Sequence, residues 1–284
     1  QDFVGDPACG SARMLTHVLD HVRKQELEQA EAAGVEVTNP DEPTQEFLEF
    51  RENRLFGAEI SRNVMHVARV NCLMNGAQYA DLKVIDALQP LGSITGGIME
   101  GLPDRPGFYP GGLTMILTNP PFGAKVTNAE ILEDFASREG LTKKNNKVLT
   151  SVPQEVAFIN RCLEFLCPGG RLAIVLPDGI LANTSTQDVR DWILRWARLK
   201  AIVSLPQETF YSYGRGVKCS ILFLEKQRFL DDEEVNENYS VYLAQIQDDS
   251  YKKGNLSISE DEIIDSNDVN TVTGDFLEKI GWLA

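Results

Sequence analysis

Between Phe3 and Glu225, short apolar runs alternate with longer stretches of helical spacing, and the runs stop at turns rich in Gly, Pro, Asn and Asp. Few folds are open to such a chain, because strands separated by helices pair in parallel and need helices on both faces to cover the sheet. Phe3-Val4 reads as the stub of a first strand, residues 12–33 as a helix, and residues 34–51, with Asn39-Pro40 and Glu42-Pro43, as a loop insertion. Residues 55–60 read as a strand, 62–75 as a helix stopped by Gly76, and 82–85 as a short strand. A Gly/Pro-rich connector, 92–112, leads into the apolar run 113–117, which has the pattern of a strand buried on both faces. The polar segment 127–151 reads as a long loop or small insertion. A helix over 153–166 ended by Pro168-Gly169-Gly170, a strand over 171–176, a helix over 186–198 and strands over 201–205 and 217–225 complete the series. The expected fold class is α/β, with a mostly parallel sheet and helices on both faces.

Several classes of function fall away early. No apolar run approaches the ~20 residues that cross a bilayer, so a soluble, cytoplasmic protein with no membrane partner is expected. The five cysteines are odd in number and form no C-x-x-C pair, so neither a disulfide framework nor a metal site is signalled. No fixed-period repeat is present. The chain opens at Gln1, already at the edge of a strand, which is expected of a piece of a longer protein.

The net charge of −15 speaks against a nucleic-acid partner, since phosphates are neutralised by Lys and Arg. Its distribution weakens that objection. Residues 228–284 hold 14 acidic and 4 basic side chains, a net −10, which leaves −5 on residues 1–227. Two polar stretches are locally basic, one with Lys125, Arg138, Lys143, Lys144 and Lys147, the other with Arg215 and Lys218; each is also what a solvated surface looks like. Residues 1–227 are therefore expected to form the catalytic domain and 228–284, with a strand-like 240–247, an acidic extension.

The candidate site residues all fall at carboxyl ends of expected strands, where open α/β sheets bind ligands. Asp6-Pro7-Ala8-Cys9-Gly10-Ser11-Ala12 joins the first strand to the first helix, and a small-residue turn there lets the backbone approach a ligand at a helix amino terminus. Asp6, Pro7, Ala8, Gly10 and Ser11 are the candidate binding residues of this turn. Glu59, followed by Ile60, ends the second strand, and Asp86, followed by Ala87, ends the third. Carboxylates so placed can accept from ribose hydroxyls and from an adenine amino group respectively. The gap from Gly10 to Glu59 exceeds the roughly 20 residues of a dinucleotide fingerprint, an excess assigned to the insertion 34–51.

Thr118-Asn119-Pro120-Pro121-Phe122-Gly123 is the sharpest signal. Two prolines fix the backbone and remove two N–H donors, leaving a rigid array of acceptors. The Asn119 side-chain oxygen and the Pro120 carbonyl can both accept from an exocyclic amine, and Phe122 can stack on the ring that carries it. The competing reading is a tight turn with a buried aromatic.

On these motifs the chain resembles the amino-methyltransferases, and among them the modification (M) subunits of type I restriction-modification systems. A DPACGSG-type motif matches Asp6 to Ala12, an acidic second-strand motif matches Gly57-Ala58-Glu59, a short acidic motif matches Asp86-Ala87-Leu88, and NPPF matches Asn119 to Phe122. Val156-Ala157-Phe158-Ile159, Leu166-Cys167-Pro168-Gly169-Gly170-Arg171, Val175-Leu176-Pro177-Asp178-Gly179 and Leu205-Pro206 with Phe210 extend the likeness over residues 6–226. The resemblance implies a Rossmann-like class I fold, S-adenosyl-L-methionine as cofactor, and methyl transfer to adenine N6. Its implied partners are double-stranded DNA with the target adenine flipped out, a specificity (S) subunit and a restriction (R) subunit. Asn119, Pro120, Pro121 and Phe122 become the catalytic candidates, with Asn119 also at the cofactor. Two departures stand out: Ala12 occupies the place of the family's second glycine, where its methyl group could crowd the methionine moiety, and the family's upstream aromatic-Thr-Pro motif and helical domain have no counterpart here. NPP-aromatic motifs also occur in enzymes that methylate RNA guanine or a protein glutamine amide, and Ala12 keeps open a non-catalytic assembly module.

Overall fold

A computed structural model describes residues 2–34, 43–95, 106–138, 143–144, 147–207, 209–210, 216–227 and 239–246. The chain forms two compact units, Gln1–Gly170 and Arg171–Ala284.

The first unit carries β1 (Val4–Asp6), α1 (Arg13–Ala32), α2 (Gln45–Asn53), β2 (Leu55–Glu59), α3 (Arg62–Met74), β3 (Asp81–Val84), α4 (Leu91–Thr95) and β4 (Leu113–Thr118). It continues with β5 (Lys125–Val126), α5 (Ala129–Ser137), a hairpin of β6 (Lys143–Lys144) and β7 (Lys147–Val148), β8 (Val152–Pro153) and α6 (Gln154–Phe165). Strands β4, β1, β2 and β3 lie side by side in that order, every pair parallel. Right-handed crossovers put the helices between β1, β2 and β3 on one face. The chain then crosses to the other side of β1 for β4, so strand order reverses between β1 and β4.

Close packing explains why these strands run where they do. Val4 and Leu55 are buried in a cluster with Leu15 and Leu19 of α1 and Met65, Ala68 and Cys72 of α3. Gly57 is needed where β2 meets its neighbours, because a Cβ there would lie 2.5 Å from Leu82 and 3.1 Å from both Cys9 and Leu15. In β4, Leu113, Ile116 and Thr118 are buried while Thr114, Met115 and Leu117 are half-buried, so the strand is less enclosed than its apolar run implied.

The second unit begins inside β9 (Leu166–Pro177) and adds α7 (Asp178–Ala182), a 3-10 turn (Thr184–Thr186), α8 (Gln187–Trp196), β10 (Ala197–Ser204), β11 (Cys219–Lys226) and β12 (Tyr242–Gln245). Here β11 runs antiparallel to both β9 and β10, and β12 runs parallel to β10. The strand expected over 240–247 is thus β12. The strands of the second unit thus pair in both senses, whereas β4, β1, β2 and β3 of the first unit pair in parallel throughout.

Two expected loops are helices. Residues 45–53 form α2, started by Thr44, whose hydroxyl accepts from the Phe47 amide, and held by the buried rings of Phe47 and Phe50. Residues 129–137 form α5, started by Asn128, whose side chain accepts from the Glu130 and Ile131 amides. Its buried Ile131, Leu132, Phe135 and Ala136 recur at helical spacing. Phe135 has no exposed surface. Phe135→Ala is expected to lower unfolding free energy by about 3–5 kcal/mol in urea titrations, the cost of a core aromatic truncation. A loop position would lose no more than about 0.5 kcal/mol.

Candidate active site

The carboxyl ends of all four parallel strands meet at one cavity of about 770 Å³. Pro7 and Ala8 line it after β1, Glu59 and Ile60 at β2, Ile85 to Leu88 after β3, and Asn119 and Pro121 after β4. The far wall comes from Ala124 to Asn128 and from Gln154 and Phe158. That wall is built by the β5–β8 pair, which sets Lys125 opposite Pro153, and by the Gln154 amide donating to the Ala124 carbonyl at 3.0 Å. Volumes of roughly 300–1,000 Å³ suit a small molecule.

The turn after β1 is held from below. Asp6 is buried, and its Oδ1 accepts from the Thr118 hydroxyl at 2.8 Å and from the Ala8 amide at 3.0 Å. The Cys9 amide donates to the Ala58 carbonyl at 2.9 Å, joining the turn to β2. Gly10 has φ 54°, a left-handed conformation that glycine adopts without steric cost. Gly10 and Ser11 lie on the same turn and are not among the lining residues. Burial raises the Asp6 carboxyl to about 7; the Thr118 and Ala8 hydrogen bonds act against that rise, and the Glu59 charge adds to it. Burial, with the Asp6 and Glu59 charges, also pushes the Cys9 thiol up, which favours its protonated form.

Ala12 also has φ above zero, 61°, alone among the described non-glycine residues. It is fully buried in the α1–α3 cluster and is not a lining residue, so its methyl group stands in the core rather than across the cavity. Its departure from glycine costs backbone strain of roughly 1–2 kcal/mol. The crowding expected of Ala12, and with it the ground for a module that binds cofactor poorly, has no support in this arrangement.

Each lining carboxylate has one oxygen fixed by its own backbone. The Ser61 amide donates to Glu59 Oε1 at 2.8 Å, and the Leu88 amide to Asp86 Oδ1 at 3.0 Å. Among the described residues no donor meets the second oxygen of either, so each keeps an acceptor for a ligand. The Asn119 side chain is exposed at the end of β4 and makes no hydrogen bond within the described residues. Pro120 is buried and Phe122 half-buried, and both are outside the lining set.

A family model described as N-6 DNA Methylase matches residues 1–276. The chain belongs to the N-6 DNA methylase family. It is 28% identical over 227 residues to the type I restriction enzyme EcoKI methylase subunit of Escherichia coli K12, an alignment covering 80% of this chain and 36% of that subunit. The chain thus spans little more than a third of that relative's length. A solved chain from Vibrio vulnificus YJ016, described as a modification subunit of a type I restriction enzyme, superposes with a TM-score of 0.63 at 21% identity, covering 98% of this chain and 49% of that one. A Listeria monocytogenes protein described as a class I S-adenosylmethionine-dependent methyltransferase superposes with a TM-score of 0.55 at 19% identity, covering 98% and 62%. At these identities the structural likeness establishes the α/β class I methyltransferase fold.

Sequence reasoning missed Asn128, Ile131, Gln154 and Phe158 as cavity residues; Phe158 stood in a family-like stretch and Asn128 was readable as a helix cap. It also overcounted the basic surface. Arg138 pairs with Asp134 and Glu164, whereas Lys125 lines the cavity and Lys147 is exposed. Arg215 lies outside the described residues. No described helix is long and apolar enough to cross a membrane.

The buried Asp6 carries a pH signature. Its folded value of about 7 exceeds its ordinary 3.8, so the folded state holds the proton longer and stability through this group falls as pH rises from about 4 to 7. Asp6→Asn, which keeps both acceptor contacts, is expected to gain stability over the wild type across that window, by up to about 4 kcal/mol at 1.36 kcal/mol per pKa unit. Urea titrations of both proteins at pH 4, 5.5, 7 and 8 measure the difference; one that stays constant with pH contradicts the assignment.

Proposed function

We propose that this chain is the catalytic part of a modification subunit of a type I restriction-modification system, which methylates adenine N6 in duplex DNA using S-adenosyl-L-methionine. One observation carries the reading: an Asn119 amide on a backbone fixed by Pro120 and Pro121 stands at a cavity that also presents Glu59 and Asp86, and among the described residues that amide and one oxygen of each carboxylate meet no hydrogen-bond partner. The residues suit the cofactor. Glu59 would accept from the ribose hydroxyls, Asp86 from the adenine amino group, and the Pro7-Ala8 turn would let the backbone approach.

When bound, S-adenosyl-L-methionine supplies an electrophilic methyl group on a sulfonium. The chain's own task is to hold an amine in line with it. An adenine flipped out of the stack presents N6 to the Asn119 side-chain oxygen and the Pro120 carbonyl. Both accept its N–H bonds, draw the nitrogen lone pair out of conjugation, and stabilise positive charge as it grows on the nitrogen. Phe122 stacks on the ring. No covalent enzyme intermediate is required, in keeping with the protonated Cys9 thiol.

Sequence choice is assigned to a specificity subunit and cleavage to a restriction subunit in the cytoplasm. Residues 1–227 form the catalytic domain in this reading, and residues 228–284 are an acidic extension whose net charge of −10 suits partner subunits or solvent better than DNA. Co-expression with neighbouring genes, followed by sequencing-based mapping of N6-methyladenine, should reveal methylation at a defined DNA sequence. Asn119→Ala is expected to lower it on the order of 10²-fold or more, the scale of losing one preorganised polar group. Near-normal N6-methyladenine from that variant overturns the mechanism, and product methylated on RNA guanine or protein glutamine overturns the substrate.

A further inference from the structure

The cavity wall after β3 has little sheet support. β3 is four residues long, pairs among the described residues only with β2, and is half-exposed or exposed along its length. Asp86, Ala87 and Leu88 nevertheless line the cavity just beyond it. Beyond Ile85, whose amide donates to the Glu59 carbonyl at 3.2 Å, something other than the sheet holds them.

That something is a buried arginine on α6. The Arg161 side chain has no exposed surface. Its Nη2 donates to the Gln89 carbonyl at 2.7 Å and to the Leu88 carbonyl at 3.3 Å, and it stands 3.3 Å from Asp134 Oδ2. Its Nη1 donates to Glu164 Oε2 at 2.6 Å, and its guanidinium carbon lies 4.5 Å from the Phe135 ring centroid. Asp134 Oδ2 accepts from the Leu91 amide at 3.2 Å, so three residues of the segment after Asp86 are held from α5 and α6. Arg138 completes the set, its Nε donating to Glu164 Oε1 at 3.2 Å and its Nη2 pairing with Asp134. Two arginines and two carboxylates balance in charge, the condition under which ions are tolerated in a core.

We propose that Arg161 is a positioning residue for the cofactor cavity: by gripping the Leu88 and Gln89 carbonyls it fixes the Asp86 carboxylate and the Ala87-Leu88 wall, without itself lining the cavity. The proposal rests on the reading that this cavity takes S-adenosyl-L-methionine. The fork geometry matters, because a planar guanidinium can bond two carbonyls and two carboxylates at once, whereas an ammonium is a point charge with fewer directions. A merely structural arginine would change stability throughout the unit; a positioning one acts on the segment after β3 first.

Arg161→Lys separates the two, since it keeps the charge and loses the fork. Amide hydrogen exchange without ligand, read against the wild type, is expected to accelerate roughly 10- to 100-fold over residues 86–91, the scale of one or two charge-assisted hydrogen bonds, with α1 and α3 unchanged. Calorimetry with S-adenosylhomocysteine is expected to show a dissociation constant raised by a similar roughly 10- to 100-fold factor. Asp134→Asn, which retains an acceptor for the Leu91 amide, serves where the lysine variant does not fold and should show the same local acceleration. Wild-type exchange over 86–91, or acceleration spread evenly through the unit, overturns the proposal. Faster exchange over 86–91 with wild-type S-adenosylhomocysteine affinity also overturns it. Failure of the wild type itself to bind S-adenosylhomocysteine removes the cofactor reading instead, and the exchange comparison then decides the clamp alone.

Discussion

The site hangs on one buried hydrogen bond, from the Thr118 hydroxyl to Asp6 Oδ1. These are the last residues of β4 and β1, the strands between which the order reverses, and the crevice of a parallel sheet opens at such a point. The same Asp6 oxygen accepts the Ala8 amide and so sets the first turn of the cavity, while Thr118 directly precedes Asn119. One carboxyl, raised to about 7 by burial, therefore couples the proposed cofactor half of the site to its proposed amine-binding half. Unpaired, a group buried so deeply would destabilise the fold; its two donors are what make it tolerable.

Around that bond the polar groups follow a division of labour. Glu59 and Asp86 each spend one oxygen on a nearby amide and keep the other for the cavity, which fixes direction while leaving an acceptor. Asn119 needs no such bond because the prolines after it stiffen its backbone. The charges that serve architecture, Arg161, Asp134, Glu164 and Arg138, are instead paired with each other behind the wall. Two carboxylates, an amide and Lys125 face the cavity, and the balanced ion cluster stays out of it.

Much of this was legible in the chain because strand ends announce themselves. Runs of apolar residues closing on Asp6, Glu59, Asp86 and Asn119 placed all four at one edge of a sheet before any coordinate, and Pro120-Pro121 made the last end unmistakable. What stayed hidden depended on tertiary context. The helix α2 follows Asn39-Pro40 and Glu42-Pro43, so its start looked like loop, and burial of Phe47 and Phe50 adds to the Thr44 cap in stabilising it. The helix α5 sits in a polar stretch whose apolar residues make sense once they pack. Nor does sequence spacing tell a buried Arg161 or Arg138 from a solvated one, and Ala12 looked like a cofactor problem until its burial placed the methyl group in the core.

A crystal structure of the chain with S-adenosylhomocysteine tests the central claim most directly. The expected result is nucleoside density in the cavity of about 770 Å³, ribose hydroxyls on Glu59, the adenine amine on Asp86, and the Asn119 amide still open toward solvent. Density bound elsewhere, or a ligand whose ribose meets neither carboxylate, would contradict the account.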